Sequence, residues 1–317
     1  MKKLLLFLVS ACVMLGANGA NQLEGINQGM SPIWDDNRLV GIDRYDSYFG
    51  SLWTYLQGND YFSYGVAIAI IAVLIAFSAH YMVVGPKHFD HHSGKVYAFS
   101  KYVRLVHLIA AISWVILVPT GVIMMWGDLF GGGFFVRLMK NLHGIATILF
   151  AISIVPMFLM WGKRMLLSVY DIKWMMIVGG YLSKIKNPVP AGKFNAGQKA
   201  WFWVAILGGF VMILTGAAMY FLNFNTPILS SVFGLTQVEV LRLAAIVHNI
   251  IGIVCAVFLL VHIYMAVFAI KGAIHSIITG YKEEEEVYIL HHYWYQELVK
   301  NGLMKPSKFE AGYTNLK

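Results

Sequence analysis

An all-α bundle embedded in a membrane is the fold this sequence predicts, and three observations predict it. Hydrophobic residues make up 58% of the 317 and charged residues 13%, with a mean hydropathy of +0.65. That balance describes a chain dissolved in lipid rather than a soluble core. Five apolar runs are each long enough to cross a hydrocarbon layer of about 30 Å at about 1.5 Å per helical residue. Basic residues gather in alternate loops, the charge asymmetry of a multi-pass topology. The net charge of +8 therefore reports membrane orientation, and no basic–aromatic patch points to nucleic acid.

The elements follow in order. Residues 1–20 read as a signal peptide: Lys2 and Lys3 precede a short apolar core that ends in small residues at Ala20. Residues 21–61, polar and aromatic with Trp34 and Trp53, form a short external segment. Residues 62–86 hold a first transmembrane helix, with its apolar run from Tyr64 to Val84 and its end at Gly85-Pro86. Four more spans fall within 101–280: Leu105 to Trp126, broken by Pro119, then Leu142 to Trp161, Trp201 to Leu222 and Leu243 to Ile270. Trp126, Trp161, Trp201 and Trp203 sit at span ends, as interfacial anchors do. Residues 281–317 form a cytoplasmic tail, in which KEEEE (Lys282–Glu286) reads as a solvated helix end, with contact to a partner's membrane helix as the alternative. No internal repeat stands out.

Orientation comes from the loops. Eleven basic residues lie between spans one and two (Lys87, Lys95, Lys101, Arg104) and between three and four (Lys163, Arg164, Lys173, Lys184, Lys186, Lys193, Lys199). The alternate loops hold only Arg137, Lys140 and Arg242. The positive-inside rule therefore puts the eleven, and the C-terminus, in the cytoplasm, with the mature N-terminus outside it.

The fifth span carries the chemistry. Leu243 to Ile270 has no formal charge yet contains His248 and His262, fourteen residues apart. At about 100° per residue they leave nearly one face, and the rise of about 21 Å sets them near opposite edges of the bilayer. A lone histidine in a span is often a hydrogen-bonded core residue; two on one face at two depths suit axial ligands of two stacked haems. His107, one turn into span two, and His143, at the external start of span three, supply partners. Depth matching pairs His143 with His248 outside and His107 with His262 inside, with Gly144 and Gly252 leaving room for a flat macrocycle. Cys12 and Cys255 form no CxxCH, so the haems are of b type and held non-covalently. His80 finds no partner at its depth. His88, His91 and His92 crowd the first cytoplasmic loop and read as solvated or lipid-facing residues rather than a metal site, and His275, His291 and His292 read as polar packing residues of the tail.

The residues also carry a resemblance. RLVH ahead of span two, LHG opening span three and GKFNAGQK (Gly192–Lys199) leading into span four are followed by RLAAIVHNIIGI and HIYMAVFAIKGAIHSIITG, then HHYWYQEL in the tail. This part, roughly 101–300, resembles the cytochrome b (gamma) subunit of respiratory formate dehydrogenases, among the di-haem quinone-reactive cytochromes b. The resemblance implies a four-helix di-haem bundle whose axial ligands are His143 and His248 for the outer haem and His107 and His262 for the inner one. It further implies a quinone, menaquinone by expectation, beside Asn195, Gly197, Gln198 and His262, where the Asn195 amide suits a quinone carbonyl. Electrons would come from an external iron–sulfur subunit, and through it from a molybdenum or tungsten catalytic subunit. Protons would come through the polar loop 163–199. Formate itself has no site in this chain, which lacks a four-cysteine cluster set and any molybdopterin-sized fold. The leader, the 21–61 segment and the first span depart from the short family form. Two alternatives stand beside this reading. One is the anchor of a hydrogenase or thiosulfate/polysulfide reductase; the other is a haem-free transporter or anchor, against which the paired histidines argue.

Overall fold

The structure, a computed structural model, describes residues 45–46, 49–92, 94–221 and 234–310. The expected signal peptide, most of segment 21–61 and residues 311–317 lie outside the described residues. Helix α1 (Gly50–Gly58) precedes α2 (Tyr61–Val83). A short strand β1 (Lys95–Tyr97) leads into α3 (Lys101–Met125), followed by α4 (Gly133–Trp161) and the loop helix α5 (Val169–Met176). Then come α6 (Ala196–Tyr220) and α7 (Gln237–Ala269), each interrupted by a π-helical turn, at Val204–Gly208 and Tyr264–Ala269. The tail holds α8 (His275–Thr279), β2 (Tyr281–Glu283), α9 (Glu284–Leu290) and α10 (His292–Lys300).

Five helices, α2, α3, α4, α6 and α7, are long and apolar enough to cross a membrane, and the chain is an all-α integral membrane protein. α2 is apolar all round and buries only Phe62 and Val66, the pattern of a helix whose other faces meet lipid. Pro119 does not break the second span, contrary to expectation: α3 runs through it. The Thr120 hydroxyl, next along the chain, donates to the carbonyls of Ile116 and Leu117 at 2.6 and 3.1 Å. α4 starts at Gly133, so His143 lies ten residues inside a helix rather than at its start.

The chain divides into two compact units. One comprises Met1–Ala69, Ile112–Ala151 and Gly208–Ala256. Its core sets Trp114 edge-on to Phe150 at 5.1 Å, with Gly209 against both rings. A Cβ at Gly209 would stand 2.5 Å from the Phe150 ring, so only glycine allows this approach.

The other unit comprises Ile70–Ala111, Ile152–Leu207 and Val257–Lys317. Here the tail is no solvated appendage. β2 pairs antiparallel with β1, and Val287, Ile289, Leu290, Trp294 and Tyr295 pack with Phe89, Trp174, Tyr181 and Val189 in one core. The acidic run is tucked in against polar partners, which corrects the reading of KEEEE as a solvated helix end. Glu283 meets His91 at 3.1 Å, Glu285 meets Lys186 at 2.8 Å, and Glu286 binds Lys282. Glu284, Glu285 and Glu286 also open α9, where the helix dipole favours negative charge.

His291, expected to pack among polar groups of the tail, is buried and donates Nδ1–H to the Gly192 carbonyl at 2.9 Å. Burial, then the Lys282 ammonium, pushes its pKa down to about 3. An unfolded histidine takes up a proton below about pH 6.5, whereas the folded one resists until about 3. The tail should therefore lose stability as pH falls through that window, by at most about 1.4 kcal/mol per pH unit from this residue. Limited proteolysis of the tail between pH 7 and 4.5 measures it. His291→Asn, which keeps a donor and does not titrate, should flatten the profile; equal acid sensitivity in both proteins would remove His291 as the cause.

Candidate functional site

The first unit brings His143 of α4 beside His248 of α7. Their ring centres are 6.3 Å apart and their planes 54° to one another. Each ring is held from behind by a threonine: Thr120 Oγ1 lies 2.9 Å from His143 Nδ1, and Thr215 Oγ1 lies 2.9 Å from His248 Nδ1. Each hydroxyl has its proton turned to carbonyls one turn back, Ile116 and Leu117 for Thr120, Val211 and Met212 for Thr215. The threonine oxygen is then the acceptor and Nδ1–H the donor, which leaves each Nε2 with its lone pair. Gly121 and Gly216 follow the threonines, and a Cβ on either would touch its histidine's Cε1, at 3.5 and 3.4 Å.

This arrangement is a repeat that sequence reading missed. Thr-Gly-x-x-Met occurs at Thr120–Met124 and again at Thr215–Met219, each followed by a histidine on the next long helix. Five-residue matches this short are invisible until the helices show that both threonines do one job.

The second unit sets His107 of α3 beside His262 of α7 at 6.2 Å, again with planes at 54°. Trp161 lies edge-on to His107 at 6.3 Å, and Trp201 stacks on His262 at 5.7 Å and 25°. Two imidazoles bound to one metal, at about 2 Å per bond and about 1 Å from nitrogen to ring centre, have centres about 6 Å apart. Both pairs meet that spacing, and in the first the tautomer and the adjoining glycines suit a flat group held through iron. The residues present fit two b haems.

The motif GKFNAGQK lies in the same second unit. Asn195 is the N-cap of α6: its side-chain oxygen accepts from Gln198 N at 2.9 Å, and Gln198 Oε1 accepts from Asn195 N at 3.0 Å. That reciprocal capping commits both side-chain oxygens. The amide N–H groups remain, and the Asn195 side chain also hydrogen-bonds Tyr181. Gly197 has a packing reason, since a Cβ there would stand 3.1 Å from Trp174. Lys193 donates to the Ala98 carbonyl at 2.6 Å over the rings of Phe99 and Trp294, and burial, then Arg164, brings its ammonium down to about 8.

His80, which has no free histidine partner, is instead hydrogen-bonded at both ring nitrogens. Its Nε2 faces the Tyr181 carbonyl at 2.9 Å and its Nδ1 the Tyr264 hydroxyl at 2.5 Å. A carbonyl only accepts, so Nε2 carries the proton, and in the neutral ring Nδ1 accepts from Tyr264. Phe77 stacks on Tyr264 at 4.1 Å. The first long helix is thereby tied to the π-helical turn two residues beyond His262.

Residues 98–280 match the family described as prokaryotic cytochrome b561. The chain belongs to that family. The matched stretch contains both histidine pairs, His143 with His248 and His107 with His262. Among curated relatives, the nitrate-inducible formate dehydrogenase cytochrome b556(Fdn) subunit of Escherichia coli (strain K12) is 28% identical over 170 residues, 53% of this chain and 74% of the relative. The formate dehydrogenase cytochrome b556 subunit of Haemophilus influenzae is 28% identical over 168 residues, 53% and 67% of the two chains. The cytochrome b556(fdo) subunit of E. coli K12 is 25% identical over 164 residues, 52% and 73%. The match leaves α1, α2 and β1 outside it, together with β2 and the tail that follows.

Proposed function

We propose that this chain is the membrane cytochrome b subunit of a formate dehydrogenase complex in a bacterial cytoplasmic membrane, with a periplasmic N-terminus and a cytoplasmic C-terminus. It would take electrons from an iron–sulfur subunit, fed by a molybdenum or tungsten catalytic subunit, and reduce a quinone, menaquinone by expectation. The observation that carries this reading is the pair of equivalent bis-histidine settings, at 6.3 and 6.2 Å and the same 54°. Bound there, two b haems would supply one-electron carriers at two depths.

The chain's own residues set the terms of that transfer. Thr120 and Thr215 fix the ring orientation of His143 and His248 and raise their basicity through Nδ1. Trp161 and Trp201 pack the second pair and keep water from it. At the quinone end, the amide donors of Asn195 and Gln198 suit the two acceptor oxygens of a quinone, with Gly197 keeping the turn low and His262 adjoining. The capping role of Asn195 makes Asn195→Ala ambiguous, because losing a cap alone costs about 1 kcal/mol. Asn195→Asp is the cleaner variant, since aspartate caps as well but offers no donor. Quinone reduction by the detergent-solubilised complex should rise in KM by tenfold or more in Asn195→Asp while haem content stays at the parental level. An unchanged KM would move the quinone away from Asn195.

A further inference from the structure

The loop joining α4 to α6 is amphipathic the wrong way round for a segment facing water. In α5, Val169, Ile172 and Met176 share one face by their spacing and are 87%, 57% and 72% exposed. Asp171 and Trp174 lie on the opposite face and are buried, Asp171 against Lys199 at 2.6 Å. A loop helix in water presents its charges outward and its apolar residues inward. The segments beside it continue the pattern, with Leu167 at 69% and Leu182 at 65% exposed. Lys173 sits within the exposed apolar face, and Lys163 and Lys184 flank it, all three exposed. The flanking long helices end at Met165 and begin again at Ala196, so this loop leaves and re-enters the bilayer on one side.

We propose that residues 163–185 lie in the membrane–water interface, with α5 pressing Val169, Ile172 and Met176 among the acyl chains and Lys163, Lys173 and Lys184 meeting anionic phospholipid headgroups. Apolar side chains interleaved with long basic ones are the composition of such interfacial helices, because the lysine stem lies along the apolar layer while its ammonium reaches the headgroups. Anionic lipid attracts basic residues held at its surface. The buried Asp171–Lys199 pair fits the same picture: it keeps the one acid of the helix off the lipid-facing side. The assignment differs from the polar proton-conducting loop expected from sequence, and it holds whatever enzyme the chain serves.

The test uses the full-length protein in nanodiscs of phosphatidylcholine and phosphatidylglycerol, with an environment-sensitive fluorophore on Met176→Cys. Lys305→Cys, on the exposed tail, is the aqueous reference, and the unsubstituted protein corrects for labelling of native cysteines. Lipid carrying a nitroxide on its acyl chain should quench the label at 176, and iodide should not; the label at 305 should behave the opposite way. In the parent background, nitroxide phosphatidylglycerol should quench the 176 label more than nitroxide phosphatidylcholine. The triple variant Lys163→Gln, Lys173→Gln, Lys184→Gln should lose that preference several-fold while quenching by the phosphatidylcholine analogue persists. Iodide reaching both labels alike would overturn the proposal. So would a label at 176 shielded from both quenchers, since a protein surface, a second copy or another subunit, would then cover this face. Equal quenching by the two lipids in the parent would overturn the anionic headgroup assignment.

Discussion

Replacing His248 with alanine is expected to halve the haem content of the purified protein, from two b haems per polypeptide to one. His107→Ala should do the same, and the two variants should lose different haems. His143 and His248 lie in one compact unit, His107 and His262 in the other. Neither pair shares a residue with the other, so loss of one ligand leaves the second pair's geometry intact. Pyridine-haemochrome content per polypeptide reads the number. Redox titration reads which haem remains, because the pair with threonine behind each ring and the pair packed by tryptophan give different environments. Thr215→Val sharpens the assignment. It removes the acceptor for His248 Nδ1–H without touching the ligand, so both haems should stay and only the potential of one should move. A folded parent without haem would end the cytochrome reading, whereas two haems in the parent and one in each variant would support it and its pairing.

Lys199→Met should be the most damaging change away from the histidines. Lys199 and Asp171 are each 1% exposed, with Nζ and Oδ2 2.6 Å apart. Asp171 Oδ2 also accepts from Ser168 N at 2.7 Å, closing the capping box of α5, while its Oδ1 has no hydrogen-bond partner. Removing the ammonium leaves a buried carboxylate with one backbone donor, and breaking such a pair costs about 3–5 kcal/mol. Thermal unfolding of the detergent-solubilised protein should therefore shift down strongly. The double variant Asp171→Leu, Lys199→Met should recover most of the loss, because the desolvation penalty leaves together with the attraction. No recovery would mean that Lys199 acts through something besides Asp171, with the Tyr170 ring 5.0 Å from its Nζ the nearest candidate.

Much of this protein is legible one residue at a time. Membrane helices declare themselves by composition, because lipid demands apolar side chains over a fixed length whatever the partners are. The histidine pairing followed from helical rise and chain direction, which are local quantities. His80 was not legible, because its partners lie 101 and 184 residues away and on different elements. KEEEE misled for a related reason. Four consecutive acids read as solvated unless their partners are known, and His91 and Lys186 are supplied by loops remote in sequence. Asn195 shows both sides: its capping box with Gln198 is a three-residue spacing any reader can mark, while its contact with Tyr181 is not.

The sequence by itself determined the membrane class, the number of long helices, and which histidines pair. Only the tertiary structure decided which hydroxyls stand behind His143 and His248, what the first long helix is tied to, and that the tail folds inward. The division has one physical cause. Transfer into lipid and helical periodicity act on each segment alone, whereas hydrogen bonds and ion pairs between buried polar groups exist only once distant segments have been brought together.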